Sequence, residues 1–295
     1  MDSILTGRSF WAVDKVILAY FVFATALTLI YWSAVESAPR LLASHAVLIG
    51  ILLYEVKRPN ITSWWFRNWY AVIYVAFCYR EMALIIPAAW RGKDCDQWLA
   101  NLDYRFWHVH PTVWLERIYR PALTEYLQLV YTFFVPAVLL VAFLLWRKRN
   151  YAEFQYYAFL IALGFLASYI GYLIVPARGP RFVLNGLQHT PLQGLWAFRN
   201  MQTALDTLES AHYDCFPSGH TELTILAWWS SRLVSKQVFR VYFAYTLSII
   251  FATVYLRYHY TVDLLAGALL AAAVIVFAPA LYEYLSKGGR AIGGC

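Results

Sequence analysis

Long apolar runs alternate with short polar breaks along the whole chain. Runs of spanning length, about 17–25 residues, fall near 15–34, 40–56, 69–90, 122–146, 154–176, 217–235, 238–256 and 260–284. Lipid offers no partner to backbone N–H and C=O groups, so each run predicts a helix. The pattern predicts an all-α, polytopic integral membrane protein with about eight transmembrane helices. The first run, Val16 to Trp32, is longer than the apolar stretch of a signal peptide, and no A-x-A site follows it; it reads as a retained first span. No repeat, low-complexity tract or separate soluble domain interrupts the pattern.

Composition agrees. Of the 295 residues, 61% are hydrophobic and 14% charged, against roughly 25% charged in soluble domains. The net charge of +7 does not imply nucleic acid, because Lys and Arg sit in short clusters between apolar runs. Lys57-Arg58 and Arg147-Lys148-Arg149 hug span ends and set the orientation: both termini cytoplasmic. The intervening loops then face periplasm or lumen, a bacterial inner membrane fitting better than a eukaryotic organelle. Asn60-Ile61-Thr62 matches a glycosylation acceptor but falls on the cytoplasmic side and is discounted. The predicted divisions are N-terminal spans of unassigned role (1–90), an interfacial outer loop (91–121), a catalytic membrane core (122–285) and a cytoplasmic tail (286–295).

Two outer loops are long. Arg91 to Pro121 mixes aromatic and charged residues, as a helix lying in the interface would. Ala177 to Phe216 is expected to form a lid or a wall at the substrate's way in. Cys95 and Cys215 fall in these two loops on one side; they either pair or stay free thiols, and no cysteine has metal-ligand spacing. Arg80 and Glu81 lie inside the third run. Ionisable groups at that depth turn inward, either to a head group or to a salt link with another span, and they are left out of the site. His189 and His212 are loop residues that could touch substrate or merely be solvated.

The candidate chemistry lies at span ends on the non-cytoplasmic side. His259 and Asp263 are four apart, one face of a helix. A carboxylate beside one imidazole nitrogen fixes the tautomer and aims the other nitrogen outward as a nucleophile; the alternative is a buried pair that staples two spans. Pro217-Ser218-Gly219-His220 puts Ser218 and Gly219 at a helix start, where free N–H groups attract an anion, and places His220 as a general acid. It could equally be an ordinary capped helix carrying a chance histidine. Arg178, Arg181 and Arg257 are candidates for phosphate binding, or else interfacial arginines with snorkelling side chains.

Together these residues resemble the type-2 phosphatidic acid phosphatase superfamily, whose motifs read K-x6-R-P, P-S-G-H and S-R-x5-H-x3-D. Pro217 to His220 matches the second motif in full, and His259 and Asp263 match the third. The resemblance implies a six-helix core and a phosphohistidine on His259. It also implies an orienting role for Asp263, proton donation by His220 to the leaving group, and phosphate binding by Ser218 and Gly219. Two family cations are missing. The motif-one lysine has no counterpart, and the Ser-Arg of motif three falls on Ala252-Thr253. Pro176-Ala177-Arg178-Gly179-Pro180-Arg181 and Arg257 to Asp263 resemble instead the branch of inositol phosphorylceramide synthases and their bacterial relatives. Within that branch Arg181 matches better than Arg178, while the Ser-Gly-His form leans to the phosphatases.

The expected activity is cleavage of a phosphoester on a lipid phosphate or phospholipid substrate, with no metal and no other cofactor. Transfer of the phosphoryl group to an alcohol acceptor is the alternative. A non-catalytic lipid-binding protein is the reading from a different class.

Overall fold

The computed structural model describes residues 9–57, 61–208 and 213–287; Asn60, His212 and the tail beyond Lys287 lie outside them. Among the described residues the chain is helical, with a single isolated parallel bridge between Ala177 and Asp214. The helices are α1 (Ala12–Ile30), α2 (Ala38–Lys57), α3 (Ile61–Trp90), α4 (Asp96–Trp107), α5 (Pro121–Thr132), α6 (Phe134–Arg147) and α7 (Tyr151–Ile174). They continue with α8 (Phe198–Leu208), α9 (Gly219–Ser231), α10 (Lys236–Tyr255) and α11 (Thr261–Lys287). Single turns at Pro111–Trp114 and Pro180–Val183 punctuate the loops.

Six helices, α1, α2, α3, α7, α10 and α11, are long and apolar enough to cross a bilayer. Two of the predicted spans come out differently. The run at 122–146 is broken into α5 and α6, bent by 48°. Pro136 explains the break: its ring has no N–H and clashes with the carbonyl four residues back, at Thr132, where α5 ends. The run at 217–235 is a helix of only 13 residues, about 20 Å at 1.5 Å per residue, too short for a full span. Ser218 caps its start and Ser235 already caps the next helix, so polar caps cut the apolar run at both ends.

That short helix, α9, is the centre of the bundle. It packs against α6, α7, α10 and α11, while α1 and α3 lie on the outer side of α7. Leu223, Leu226 and Ala227 of α9 are buried in the main core with Phe159, Leu160 and Leu166 of α7. Because α9 is enclosed on most sides, polar Thr221, Glu222 and Thr224 are buried along with its apolar residues and it has no single apolar stripe. Its N-terminus, bearing the Pro-Ser-Gly-His turn, is therefore held at a fixed height inside the protein.

Candidate functional site

The two long loops, residues 91–121 and 177–216, build the site by holding motif segments with buried acids. Asp96, at the start of α4, accepts hydrogen bonds from the backbone N–H of Arg178 and of Gly179, each at 2.7 Å, and from the Tyr260 hydroxyl at 3.0 Å. Asp103, seven residues on, accepts from the N–H groups of Thr261 and Val262 at 2.9 Å and from the Thr261 hydroxyl at 2.7 Å. It thereby caps α11 from another segment, satisfying N–H groups that a helix start leaves open. Gly179 has φ +105°, and a Cβ there would sit 2.6 Å from the Tyr258 carbonyl oxygen. Only glycine lets the Arg-Gly-Pro-Arg turn press this closely on the third motif. On α4 Trp98, Phe106 and Trp107 are exposed.

These constraints bring His220 and His259 together. His259 Nε2 lies 3.4 Å from His220 Nδ1. His259 Nδ1 lies 2.8 Å from the carbonyl oxygen of Cys215 and 3.5 Å from Asp263 Oδ2. The carbonyl can only accept, so Nδ1 carries the proton and Nε2 presents its lone pair. Asp263 acts on the ring from slightly farther away, because its Oδ2 is engaged by the Tyr260 N–H at 2.8 Å and the Cys215 thiol at 2.9 Å. Burial, with the Asp263 charge beside it, pushes the Cys215 thiol well above its usual range, so it stays a donor. His220 is set by stacking. Its ring lies 4.4 Å from that of Tyr131, which stacks at 4.3 Å on Tyr258, and Phe134 closes the other side at 4.4 Å.

Both histidines line a cavity of about 580 Å³, within the size range of ligand pockets. Its polar end holds Arg178, Arg181, Asp214, Gly219, His220 and His259. From there it runs as an apolar channel between α3, α6 and α7, past Val75, Leu139 and Phe165 to Trp69. Its wall on α3 extends from Asn68 to Tyr79, about 16 Å of helix. The bend between α5 and α6 also lines the cavity, through Tyr131, Thr132 and Phe134. Helix α8 closes the polar end with Ala204 and Leu205, and its Asp206 pairs with Arg181 at 2.7 Å.

The family model described as the PAP2 superfamily covers residues 97–277. The chain belongs to that superfamily. No curated protein and no solved structure gives a match. The PAP2 match opens in α4 and closes in α11, so α1, α2 and all of α3 lie outside it. Membership places the protein among enzymes of phosphatase and phosphotransferase type.

Within this PAP2 core the expected site residues separate into two groups. His220, His259, Gly219, Arg178 and Arg181 line the cavity, and Asp263 stands behind His259. Ser218 is fully buried, and its hydroxyl accepts from the Thr221 N–H at 3.3 Å as a helix cap. Arg257 also stands apart. Its guanidinium bonds Glu116 at 2.8 Å, the Thr190 carbonyl at 2.6 Å and Gln188 at 3.2 Å, away from the cavity wall. It holds its place through a left-handed backbone (φ +67°), and its carbonyl accepts from the Arg181 N–H at 3.2 Å. Arg257 thus joins the two long loops and orients the Arg181 turn.

The remaining sequence candidates fall outside the cavity. Cys95 and Cys215 are free thiols. Glu81 pairs with His45 of α2, a link between spans, while Arg80 lies on the exposed face of α3. His189 is exposed in the loop. Cys215 Sγ, His259 Nδ1 and Asp263 Oδ2 lie within 4.8 Å of one another and have the donor types of a soft-metal site. Here each is already spent on a hydrogen bond within the trio or to the Cys215 carbonyl.

Sequence reading missed Asp96, Asp214 and the aromatic stack of Tyr131 and Tyr258. Asp96 and Asp103 did leave a signal, two acids at i and i+7 in an aromatic segment. Asp214 sits three residues before the Pro-Ser-Gly-His turn. Its Oδ2 accepts from the Tyr79 hydroxyl at 2.6 Å. Burial pushes this carboxyl above the usual range, against the pull of Tyr79 and of nearby His259.

Proposed function

We propose that the protein cleaves a phosphoester of a lipid phosphate or pyrophosphate through a phosphohistidine on His259, at the non-cytoplasmic face of the membrane. The observation that carries this reading is the facing pair: His259 with Nδ1 tied to a carbonyl and Nε2 open, His220 opposite at 3.4 Å, both on one cavity wall. The apolar channel suits a lipid chain, and the polar end suits its phosphate.

The steps balance without a cofactor. The phosphoryl group displaces the contact between the two histidines. Arg181 and Arg178, with the N–H groups opening α9, take up its charge. In doing so Arg181 exchanges Asp206 for phosphate. His259 Nε2 attacks phosphorus in line, the P–O bond breaks, and His220 gives its proton to the leaving oxygen. Asp263 and the Cys215 carbonyl stabilise the positive imidazole. Water then attacks with His220 as base, the P–N bond breaks, and phosphate leaves with His259 restored.

A second reading is transfer of the phosphoryl group to an alcohol, as in inositol phosphorylceramide synthases. The cavity carboxylate Asp214 favours it, since a hydroxyl is a better complement to a carboxylate than a phosphate is.

The test uses the purified chain in detergent with lipid phosphates, lipid pyrophosphates and phospholipids, with and without inositol. Phosphate released by the wild type and lost in His259→Ala supports hydrolysis. A new phosphorylated lipid formed only with acceptor supports transfer. Equal turnover by His259→Ala overturns both.

A further inference from the structure

One group at the polar end has no part in the hydrolytic cycle. Asp214 is fixed by its bridge to Ala177, by the Cys215 N–H bonded to the Ala177 carbonyl at 3.0 Å, and by the Tyr79 hydroxyl from α3. It lines the same cavity as both histidines and as Arg178 and Arg181. A carboxylate is a poor neighbour for a bare phosphate dianion, because like charges repel most where water is scarce. Ionised, it can only accept hydrogen bonds. Its complement is a donor, a hydroxyl or an ammonium group. Such donors occur on an alcohol joined to phosphorus, or on one about to attack it.

A merely structural pairing of Tyr79 with Asp214 would resemble the other buried polar contacts of α3. Those are closed: Asp14 is wrapped by Arg67, Tyr70 and the Trp11 N–H, away from the large cavity. Tyr79 and Asp214 both line it.

We infer that Asp214, held by Tyr79, forms a head-group subsite that takes a hydroxyl or ammonium group on the alcohol side of the phosphorus. It favours donor-bearing alcohols, on phosphorus or as acceptors, over alcohols that carry no donor. The inference rests on the reading of His259 and His220 as the reacting pair.

The test compares four lipids on one diacylglycerol scaffold: phosphatidic acid, phosphatidylmethanol, phosphatidylglycerol and phosphatidylethanolamine. Diacylglycerol release gives kcat/KM for the wild type, Asp214→Asn and Tyr79→Phe. A second arm supplies phosphatidic acid with methanol, glycerol or ethanolamine as acceptor, which separates a head group already joined to phosphorus, and kept there as diacylglycerol leaves, from an incoming one. Native mass spectrometry of the same lipids on full-length His259→Ala and its Asp214→Asn double variant reads binding without turnover.

The wild type is expected to favour donor-bearing alcohols over the methyl case by about tenfold or more. Asp214→Asn brings that ratio to near one and raises the relative use of phosphatidic acid. Tyr79→Phe lowers the ratio part-way, and reads it should Asp214→Asn fail to fold. A ratio that is the same in the wild type and in the Asp214 variant, in both turnover and binding, overturns the subsite. Selective binding through Asp214 with full turnover by His259→Ala keeps the subsite and sinks the reacting pair.

Discussion

Two regions of this membrane bundle bury ionisable side chains, and they use them in opposite ways. In α1–α3, Asp14 receives both terminal nitrogens of Arg67 together with the Tyr70 hydroxyl and the Trp11 N–H. Farther along, His45 of α2 joins Thr25 of α1 to Glu81 of α3. These clusters tie three helices together, and neither takes part in the large cavity. In the core that matches the PAP2 family, His220, His259 and Asp214 are also tightly held, yet each lines the cavity. Burial of charge marks neither kind of region by itself. What separates them is whether the group faces only neighbouring helices, as Asp14 and Glu81 do, or lines the cavity.

The comparison can be broken at several points. His259→Ala should cost about 10⁴-fold or more in kcat, by analogy with loss of a catalytic nucleophile, and leave thermal unfolding in detergent unchanged. Activity near wild type would move His259 into the structural class. His220→Ala should cost about 10²–10⁴-fold, and less on a p-nitrophenyl ester, whose leaving group needs no proton. An equal loss on both substrates would remove the general-acid role.

Arg67→Ala should do the reverse. Leaving Asp14 buried without its partner costs about 3–5 kcal/mol, read as a lower unfolding temperature, with KM and kcat of the folded protein unchanged. Asp103→Ala tests the border between the regions. It strips acceptors from three donors that open α11, which costs about 1–3 kcal/mol. Because that segment carries His259, activity should fall along with stability. A stability loss with intact kcat would show that α4 is only a clamp.

The smallest effect is expected at Cys215. The bond that fixes the His259 tautomer comes from its backbone carbonyl, so Cys215→Ser should stay close to wild type. Cys215→Ala, which removes one donor to Asp263, should cost about 1 kcal/mol, seen in the pH profile of kcat. A loss as large as that of His259→Ala would transfer the orienting role from the carbonyl to the thiol.

Much of this was legible because it rests on local rules. The apolar runs located most spanning helices to within a few residues, since lipid enforces helix wherever a run is long enough; α3 starts eight residues before its run. The fourth and sixth runs failed that test for visible reasons, Pro136 in one and serine caps in the other. The spacing of His259 and Asp263 put both on one helix turn, but did not reveal that a carbonyl rather than the carboxylate makes the shorter bond to the ring. Arg257 looked like a phosphate ligand because it stands two residues from His259. Its guanidinium is instead drawn off by Glu116, 141 residues away in sequence.

The sequence by itself determined the class of the protein, its helices, its superfamily and the identity of the facing histidines. Those depend on composition, periodicity and short motifs. The tertiary structure alone decided which arginines reach the cavity, that Asp96 and Asp103 hold the motifs in place, and that Asp214 and Tyr79 meet beside the histidines. These are contacts between segments far apart in the chain, and no local pattern encodes which distant carbonyl, carboxylate or ring will fill the space next to a side chain.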